Sequence, residues 1–542
     1  MKKYLSEIFE GLSNRLDYIK TIPIAFNVPN NEGQGDYSTN AALILAKALK
    51  RNPREVASEI IANLEYDNNK IDKIEIAGPG FINFFFSKNF NSSIIKEIIY
   101  KKDAFGRSQK YLGKRAQVEF VSANPTGPLT VGHGRNAVIG DTVANMLEWI
   151  GYTVEREYYF NNAGRQMRVL GDSVKQRYLQ LLGNEVQFPD EYYQGDYIKE
   201  IAQALIDENG DKLSGEDCEG IFKQRAEKEI FKDIEKTLKR IQIKFDNYFN
   251  EHTLYTDGRI ESLLNTFKEK NLTYEKEGAV WLKLSELGNE ADKVIVKSSG
   301  EPTYRLPDIA YHINKFERNY DLMVDLFGSD HNATYPDVKA ALNALGHDVE
   351  KVKVLIHQFV TIMSHGEVVK MSTRKANYIT LDELIDEVGP DVVRYFFIMR
   401  SITSHLNFDL DIAKKQSDEN PVFYLQYAHA RIASILRMVK EQKLESSMDN
   451  LDLLNAPEEQ NLLKKLHQFA DETLYAAENY EAHRIANFLE ELAALFHRFY
   501  TECRIIGTEK KLAEARIALC IAVQVVLRNG LTLLGLDAPQ KM

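Results

Sequence analysis

The sequence predicts a multidomain protein of α/β plus all-α class, with a small α+β domain, then a parallel-sheet domain, then an α-helical bundle. At 542 residues the chain is longer than a single hydrophobic core usually supports. Strand, loop, helix and strand patterns follow one another over residues 116–160, which is the order of a βαβ unit and so predicts a parallel sheet. From about residue 400 onward, every strong pattern is helical.

Composition and charge restrict the class of protein. Hydrophobic residues make up 44% and charged residues 27%, as in ordinary soluble globular proteins. The first residues, MKKYLSEIFEGL, contain no apolar signal core, and no apolar run reaches the length of roughly 18 residues that a membrane span needs. We therefore expect a cytoplasmic protein without membrane contact. The net charge of −11 disfavours indiscriminate nucleic-acid binding but leaves room for a specific RNA partner that meets a local basic patch.

The cysteines indicate neither disulfides nor a metal centre. There are three, Cys218, Cys503 and Cys520, and none has a second cysteine or a histidine at ligand spacing. We expect reduced thiols and no structural metal.

The first 110 residues predict the α+β domain. AALILAKALK (41–50) has the apolar spacing of an amphipathic helix. IDKIEIAGPGFINFFFS (71–87) alternates apolar and polar residues around a Gly-Pro-Gly turn, as a hairpin does. The polar stretch 100–115 predicts a linker.

Residues 111–400 predict the parallel-sheet domain. AQVEFVS (116–122) and YTVEREYYF (152–160) are strand patterns on either side of a helical one. Further strands are predicted at KVIVKS (293–298), DLMVDLFG (321–328) and KVLIHQFVTI (353–362), and a largely helical insertion at about 165–275. In the bundle of residues 401–542, IALCIAVQVVL (517–527) predicts a buried helix.

The stretch SANPTGPLTVGHGRNAVIGD (122–141) is the strongest candidate site. It connects a strand to a helix, where ligands bind to open parallel sheets. Its glycines would let a ligand approach the backbone, and a helix N-terminus attracts anions. His133 and Arg135 would then donate to phosphate oxygens. From these residues alone, a tight turn carrying a surface histidine is equally compatible, since the stretch matches neither a P-loop nor a dinucleotide fingerprint.

Two distant motifs resemble one family. VEFVSANPTGPLTVGHGRNAVIGD (118–141) resembles the signature of class I aminoacyl-tRNA synthetases in their arginyl form, with TVGH at the position of the HIGH motif. GEVVKMSTRKAN (366–377) resembles their KMSKS loop. Five further segments resemble the arginyl enzymes: FINFFFS (81–87), TYRLPDIAYH (303–312), FGSDH (327–331), FYTECRIIG (499–507) and GLTLLGLDAP (530–539). The resemblance thus covers essentially the whole chain.

The resemblance implies the ATP-dependent ligation of L-arginine to its cognate tRNA through an arginyl-adenylate, with release of pyrophosphate and AMP. It implies a Rossmann-like catalytic domain at 111–400, a domain at 1–110 that binds the elbow of the tRNA, and an anticodon-binding domain at 401–542. ATP enters with Mg²⁺ as a substrate, and a monomer is expected. The alternative among enzymes is a synthetase of the same class for another amino acid. The acidic and hydroxyl residues expected in the pocket disfavour an apolar amino acid as the substrate. From another class, an inactive paralogue that serves as an RNA-binding scaffold stays open.

By the same resemblance, the catalytic residues are Thr130, Gly132, His133, Lys370 and Arg374, and the ATP-binding residues are Gly132, His133, Gly134, Met371 and Ser372. The sequence departs from the family pattern in two places. Thr130 replaces the first histidine of HIGH, and Thr373 replaces the second lysine of KMSKS. Arg374 and Lys375, beside Thr373, still carry positive charge.

Asp308, Tyr304 and Glu251 are implied to line the pocket for the arginine side chain, because carboxylates and hydroxyls suit a planar guanidinium. Asn124 and Glu119 are implied at the α-amino end, with His331 nearby. The residues alone also allow Asp308 to be a helix cap and Glu251 a surface acid.

Two sets of residues are implied to contact tRNA. In the N-terminal domain they are Asn83 with Phe81 and Phe84, although hairpin core is the alternative for the two rings. In the bundle, the candidates for stacking on bases come from Tyr424, Tyr427, His429 and Arg431, and we select Tyr427 and Arg431. Most aromatic residues there must belong to the core.

Overall fold

The computed structural model describes residues 1–29, 33–162, 164–329, 334–369 and 379–542. The N-terminal part forms a three-stranded antiparallel sheet packed against helices. Its elements are α1 (Lys2–Leu12), β1 (Tyr37–Thr39), α2 (Ala41–Leu49), α3 (Pro53–Asn63), β2 (Ile71–Ala77), β3 (Phe81–Phe86) and α4 (Lys88–Lys101). Strand β3 lies in the middle and pairs with β1 and β2, which confirms the predicted hairpin. Helix α3 begins where Asn52 accepts a hydrogen bond from the Arg54 amide at 2.9 Å and Pro53 presets the first helical φ.

The middle of the chain builds a parallel sheet and its covering helices. The elements are β4 (Arg115–Glu119), α5 (Val131–Trp149), β5 (Thr153–Phe160), α6 (Arg165–Leu181), α7 (Asp196–Asn209), α8 (Lys223–Arg240), β6 (Asn247–Asn250), α9 (His252–Thr256), α10 (Arg259–Glu269), β7 (Thr273–Lys276), β8 (Ala279–Leu282), β9 (Lys293–Val296), α11 (Arg305–Glu317), β10 (Leu322–Gly328), α12 (Tyr335–Ala344), β11 (Val352–His357), β12 (Val360–Ser364), β13 (Glu367–Val368), α13 (Leu381–Val388) and α14 (Pro390–Ile398).

Five of these strands form the central sheet, in the order β11-β10-β4-β5-β6, and every neighbouring pair in it is parallel. Helix α5 carries the chain from β4 to β5, so the predicted βαβ unit is confirmed. Fifteen of the residues of α5 are buried, because the helix lies between the sheet and the C-terminal helices.

The structure corrects two strand predictions and adds a strand that the sequence did not indicate. KVIVKS forms β9, but β9 belongs to a separate antiparallel sheet with β7 and β8. KVLIHQFVTI is two strands, β11 and β12, which lie in different sheets. Residues 165–275 are mostly helical, yet they contain β6, which is an edge strand of the central sheet. A short strand pattern fixes neither partner nor direction, since long-range pairing decides both.

The C-terminal part is helical after one short strand. Its elements are β14 (Leu406–Asp409), α15 (Leu410–Ala413), α16 (Pro421–Glu441), α17 (Pro457–Asn479), α18 (Ala482–Glu502) and α19 (Lys510–Leu533). Within the described ranges, α19 is the one helix long and apolar enough to cross a membrane, and 72% of its apolar window is buried inside the protein. The predicted buried helix is therefore confirmed.

The central sheet and the C-terminal helices share one hydrophobic core. Trp149 of α5 meets Phe469 of α17 edge to face, with 6.4 Å between ring centroids. Arg394 on α14 is fully buried and donates to Asp141 of α5 at 2.6 Å and to the carbonyl of Leu534 at 3.1 Å. Helix α5 is thus held from both sides.

Candidate active site

The candidate site lies at the carboxyl ends of β4 and β10. The chain leaves β4 for β5 on one side, whereas β10 pairs with β4 on the other side. Such a reversal of direction in a parallel sheet opens a crevice between the loops that follow the two strands. The loop 120–130 and the first turn of α5 form one wall of this crevice.

Thr130 and His133 form a capping box at the start of α5. The amide of His133 donates to Oγ1 of Thr130 at 3.4 Å, and the amide of Thr130 donates to Nδ1 of His133 at 3.2 Å. Because Nδ1 accepts a hydrogen bond, the neutral ring carries its proton on Nε2 and presents a donor there. The sequence did not reveal that Thr130 orients His133.

The glycines of this loop and of α5 differ in the space that is available for a side chain at each position. Gly132 is exposed, and a Cβ there would meet only Oγ1 of Thr130, at 3.7 Å. Gly134 is buried, and a Cβ there would come within 2.6 Å of the Leu381 side chain. A Cβ at Gly140 would lie 2.2 Å from Cγ of Phe120. Packing therefore explains Gly134 and Gly140, whereas Gly132 leaves open space beside the helix N-terminus.

Arg135 does not face the crevice, so the expectation that it donates to phosphate is wrong. Its side chain is fully buried and donates to four backbone carbonyls, those of Gln358, Phe359, Ser401 and Ser404, at 2.7 to 3.4 Å. Two residues beyond His133, the helix has turned this side chain toward the strands behind it. It fastens α5 to the segments around β12 and β14.

The backbone after β4 is strained and is held by Asn136. Val121 and Ser122 have φ values of +64° and +41°, in the left-handed region that a β-branched residue rarely adopts. The side chain of Asn136 accepts from the Val121 amide at 2.6 Å and donates to the Leu326 carbonyl at 3.0 Å. Sequence reasoning missed Asn136, because its partners lie 15 and 190 positions away.

Asp308 and Glu251 are close enough for their charges to interact. Asp308 lies in the first turn of α11, whose N-cap is Tyr304, so the alternative of Asp308 as a helix cap is wrong. Glu251 is 7% exposed and accepts from the hydroxyl of Tyr159 at 2.7 Å, so it is not a surface acid. Burial, and then the charge of Asp308, raise the pKa of Glu251, although the Tyr159 hydrogen bond opposes them. Tyr304 beside this pair is 61% exposed.

Beneath this pair, three acids stand in register on neighbouring strands: Asp325 on β10, Glu119 on β4 and Glu157 on β5. Two cations pair with these acids: Lys315 on α11 and Arg318, the residue after the end of this helix. Lys315 donates to Glu119 at 2.5 Å and to Asp325 at 2.6 Å, and Arg318 donates to Glu157 at 2.8 Å. Although burial alone would raise it, Lys315 and His312 hold the pKa of Asp325 well below its usual range. Apart from Glu119, the sequence did not single out this network.

The other site candidates are placed as follows. Asn124 is exposed and donates to Gln166 at 2.5 Å, while Glu119 is buried with Ser122 and Lys315 as partners. His331, Lys370, Met371, Ser372 and Arg374 lie outside the described residues. Residues Thr380 and Leu381, which come after the KMSKS-like stretch, are attached to the glycine loop, because Thr380 bridges to Thr130 and the Leu381 amide donates to the Leu129 carbonyl at 2.8 Å.

In the N-terminal sheet, the two phenylalanine rings of the hairpin divide between core and surface. Phe84 is fully buried, which confirms the core alternative for one ring, and Phe81 is 40% exposed. Asn83 is 4% exposed, between Ser38 and Glu75 on the neighbouring strands.

On α16, Tyr427 and Arg431 belong to a group of rings at the surface. Arg431 donates to the Tyr427 hydroxyl at 2.6 Å, and its guanidinium lies 4.4 Å from the centroid of Tyr500. Tyr427 stacks between Phe423 at 6.2 Å and His497 at 6.0 Å. His429 is fully buried and Tyr424 is half-buried in the bundle.

Comparison with known proteins identifies the family. Three family models match in order: the N-terminal domain of arginyl tRNA synthetases at 1–86, the catalytic domain of class I tRNA synthetases (R) at 94–394, and the DALR anticodon-binding domain at 425–542. The arginine–tRNA ligase of Desulfotalea psychrophila is 51% identical over 518 residues, covering 95% of this chain and 94% of the relative. That of Salinibacter ruber is 49% identical and covers 100% of both chains.

This chain belongs to the arginyl-tRNA synthetases. Its fold agrees with that of the Thermus thermophilus arginyl-tRNA synthetase, with a TM-score of 0.80, 20% identity and 100% of both chains covered. The predicted fold class and the predicted activity are therefore confirmed. As a member of the family, the chain joins arginine to tRNA at the expense of ATP, through an enzyme-bound arginyl-adenylate.

Proposed function

We propose that Asp308 and Glu251 hold the guanidinium of arginine. The charge of Asp308 contributes to the raised pKa of Glu251, so the two carboxylates repel each other when both are ionised, and a planar cation with donors on two edges relieves this repulsion. Tyr159 fixes Glu251 at 2.7 Å, so one carboxylate oxygen remains for the ligand. The exposed ring of Tyr304 would cover the guanidinium. The placement of this acid pair at the carboxyl end of the sheet is the observation that carries the proposal.

At the other end of the amino acid, Asn124 and Glu119 are proposed to receive the α-ammonium group. Glu119 is the last residue of β4, and Asn124 lies in the loop that follows this strand. The charge of Glu119 is balanced by Lys315, so the ammonium would meet a hydrogen-bond acceptor rather than an isolated charge. His331 is proposed to lie beside this end.

For ATP, we propose that the phosphates lie at the N-terminus of α5. Nε2 of His133 and the helical amides would donate to phosphate oxygens, and the open space at Gly132 would admit them. Gly134 would contribute through its backbone, and Thr130 through its hold on His133. Lys370, Met371, Ser372 and Arg374 would complete the phosphate site from the KMSKS-like stretch.

Mg²⁺ would arrive with ATP as the counter-ion of its phosphates. Among the described ranges there is no group of three or more histidine, cysteine or carboxylate side chains that could hold a metal. The donors around His133 are neutral or cationic, which suits phosphate oxygens and does not suit a second cation. No protein-held metal is therefore proposed.

The chemistry needs positioning more than covalent help. The carboxylate oxygen of arginine attacks the α-phosphorus of ATP, the bond to the bridging oxygen breaks, and pyrophosphate leaves. The tRNA hydroxyl then attacks the activated carbonyl, and AMP leaves. In the first step negative charge accumulates on the phosphates, where fixed donors stabilise the transition state most effectively. The acid pair would anchor the guanidinium end of arginine, and the helix N-terminus would anchor the phosphates of ATP. The carboxylate of arginine and the α-phosphate would then lie next to each other between these two anchors.

For tRNA, we propose two contact regions. Phe81, with Asn83 beside it on the same hairpin, would meet the tRNA elbow, and the exposed Phe81 ring is the better placed of the two. Tyr427 and Arg431 would stack on anticodon bases, because a ring and a guanidinium plane present to solvent suit unpaired bases.

Residues 1–110, 111–400 and 401–542 are proposed as the elbow-binding, catalytic and anticodon-binding domains of a cytoplasmic monomer without membrane contact. Gel filtration with light scattering tests the monomer, with a mass near 62.1 kDa expected. A mass of twice that value would contradict it.

The deciding experiment charges bulk tRNA with each amino acid in turn. Arginine alone should be attached to tRNA. Attachment of a different amino acid, or no attachment of any amino acid, would refute the activity. Asp308→Asn should raise the KM for arginine by about 10- to 100-fold, since a charge-assisted pair with the guanidinium is lost, while the KM for ATP stays unchanged. Equal losses for both substrates would contradict the placement of the guanidinium.

A further inference from the structure

A continuous line of hydrogen bonds, buried at its centre, joins the two ends of the proposed amino-acid site. Ser122 donates to Glu119 at 3.0 Å, and Lys315 links Glu119 to Asp325 at 2.5 and 2.6 Å. From Asp325 the line continues through the ring of His312 to Asp308. His312 and Asp325 are essentially inaccessible to solvent, so water does not screen the contact between them, whereas the side chain of Asp308 at the end of the line is 35% exposed.

Both ring nitrogens of His312 face oxygen acceptors. Nε2 lies 2.9 Å from Oδ2 of Asp325. Nδ1 lies 2.8 Å from the backbone oxygen of Asp308 and 3.0 Å from Oδ1 of its carboxylate. Ionised carboxylates and carbonyl oxygens accept hydrogen bonds and do not donate them, so each nitrogen must carry a proton. The geometry therefore requires an imidazolium.

The surrounding charges stabilise that imidazolium. Burial and the charge of Lys315 would lower the pKa of His312, but Asp308 and Asp325 outweigh them and raise it to about 10. From α12, Tyr335 also faces this cluster, and burial followed by the charge of Asp325 raises the pKa of its phenol. With His312 charged, two cations balance two acids in the interior: Lys315 and His312 against Glu119 and Asp325.

We propose that His312 is a positioning residue for arginine: it fixes one oxygen of Asp308 and leaves the other to bind the guanidinium. This inference rests on the proposed role of Asp308. Because His312 is anchored on Asp325 from behind, Asp308 has a rigid support rather than a flexible exposed one. A neutral ring could serve one carboxylate only, and its lone pair would repel the other.

A purely structural role predicts a different result. If His312 only fills space in the core, its replacement lowers stability and affects both small substrates alike. If it positions Asp308, its replacement raises the KM for arginine, leaves the KM for ATP unchanged, and has no further effect once Asp308 is neutral. These outcomes separate the two roles.

The test compares His312→Phe and His312→Gln with wild-type protein in aminoacylation. His312→Phe should raise the KM for arginine by about 10- to 100-fold, since a charge-assisted hydrogen bond is lost, and His312→Gln, which keeps an amide donor, should recover part of this loss. In the Asp308→Asn background, His312→Phe should add little, because residues in one network are not additive. His347→Phe is the control, because His347 stacks on Phe316 at 4.6 Å, outside the site.

A spectroscopic measurement keeps the inference testable if His312→Phe does not fold. Nitrogen NMR of histidine-labelled wild-type enzyme at about pH 8, where an ordinary imidazole is neutral, should show one imidazolium. A neutral His312, or an unchanged KM for arginine in folded His312→Phe, would overturn the inference. If Asp308→Asn also leaves the KM for arginine unchanged, the proposed pocket itself fails. If Asp308→Asn raises it and His312→Phe does not, the inference alone fails.

Discussion

The hydroxyl of Tyr159 on β5 donates to Oε2 of Glu251 at 2.7 Å, at the carboxyl end of the parallel sheet. This bond stabilises the ionised form of Glu251, whereas burial and Asp308 favour the protonated form and dominate, so the pKa of Glu251 is raised above its ordinary value of 4.5. Without arginine, the carboxyl of Glu251 therefore binds its proton more tightly in the folded protein than in the unfolded chain.

A carboxyl whose pKa is raised by folding contributes stability below its unfolded pKa and loses that contribution as the pH rises through the folded value. Bound arginine should have the opposite pH dependence: its contribution to stability should increase as the pH rises, because a guanidinium pairs with the ionised carboxylate. We expect arginine to raise the Tm more at pH 7.5 than at pH 5, measured by thermal denaturation with and without arginine. A larger increase at pH 5 would contradict the assignment.

Glu251→Gln should remove most of the stabilisation by arginine at pH 7.5, without lowering the Tm of the free enzyme. The amide keeps the shape of the side chain and removes a charge that is unfavourable in the empty site. The matched control is Glu261→Gln on the exposed face of α10, which should change neither quantity. A lower Tm of free Glu251→Gln would contradict this expectation, because it would show that the ionised carboxylate stabilises the fold.

His133→Ala should slow adenylate formation by about 100-fold or more, since one fixed donor to the developing charge is lost. Affinity for tRNA should not change, because the proposed role of His133 lies at the phosphates of ATP. Single-turnover formation of arginyl-adenylate and a filter-binding assay with tRNA measure the two quantities. Full activity of the variant would return His133 to the role of a helix-capping side chain.

Tyr427→Ala and Arg431→Ala should each raise the KM for tRNA, by about 10-fold where a base stacks on the side chain, and leave the KM for arginine unchanged. Tyr475 and Arg484 offer a matched pair elsewhere on the bundle, with the guanidinium 4.5 Å from the ring centroid. Their alanine variants should have no effect on either KM. Equal effects of both pairs would show a general loss of stability.

The sequence alone predicts that removal of the chain from about residue 410 onward leaves a soluble fragment with poor tRNA affinity. From the structure we expect an insoluble fragment instead, because α5 and α14 would lose the core that they share with α17, α18 and α19. Light scattering of the purified fragment would check this. A soluble, active fragment would mean that the shared core is not needed for folding.

Gly140→Ala should destabilise the enzyme by about 1–3 kcal/mol, as overpacking does, since its Cβ would lie 2.2 Å from Cγ of Phe120. The matched change Gly11→Ala in α1, where nothing lies within 4 Å, should be neutral or stabilising. Urea denaturation measures the free energy of unfolding of both. Equal stability of the two variants would contradict the close contact of α5 with the strand end.

Activation of arginine should depend strongly on bound tRNA. Thr373 provides no charge at the position of the second lysine of KMSKS, and a missing charge-assisted contact in the transition state costs about 2–4 kcal/mol. We expect tRNA to bring Arg374 and Lys375 over the phosphates. Exchange of pyrophosphate into ATP with arginine, measured with and without tRNA, decides this. Comparable exchange without tRNA would refute it, and rapid exchange by Thr373→Lys without tRNA would support it.

The sequence by itself determined the order of the domains, the βαβ unit and the family. Local signals suffice for these, because the turn at 122–130, the helical spacing that follows it and the two distant motifs are each written in one short segment. Asp308 and Glu251 also came from the sequence, through motif resemblance. The burial of Glu251 and the effect of Asp308 on its pKa did not, since neither follows from neighbours along the chain.

The tertiary structure alone decided which charges face which. Arg135, expected at a phosphate, is turned by two helical positions into the interior, and β9 joins a different sheet from the one its pattern indicated. His312 and Lys315 can pair with Asp325 and Glu119 only because the fold places α11 against the row of acids on the sheet. A side chain's proton affinity depends on what lies within a few ångströms of it, and folding sets that distance independently of separation along the sequence.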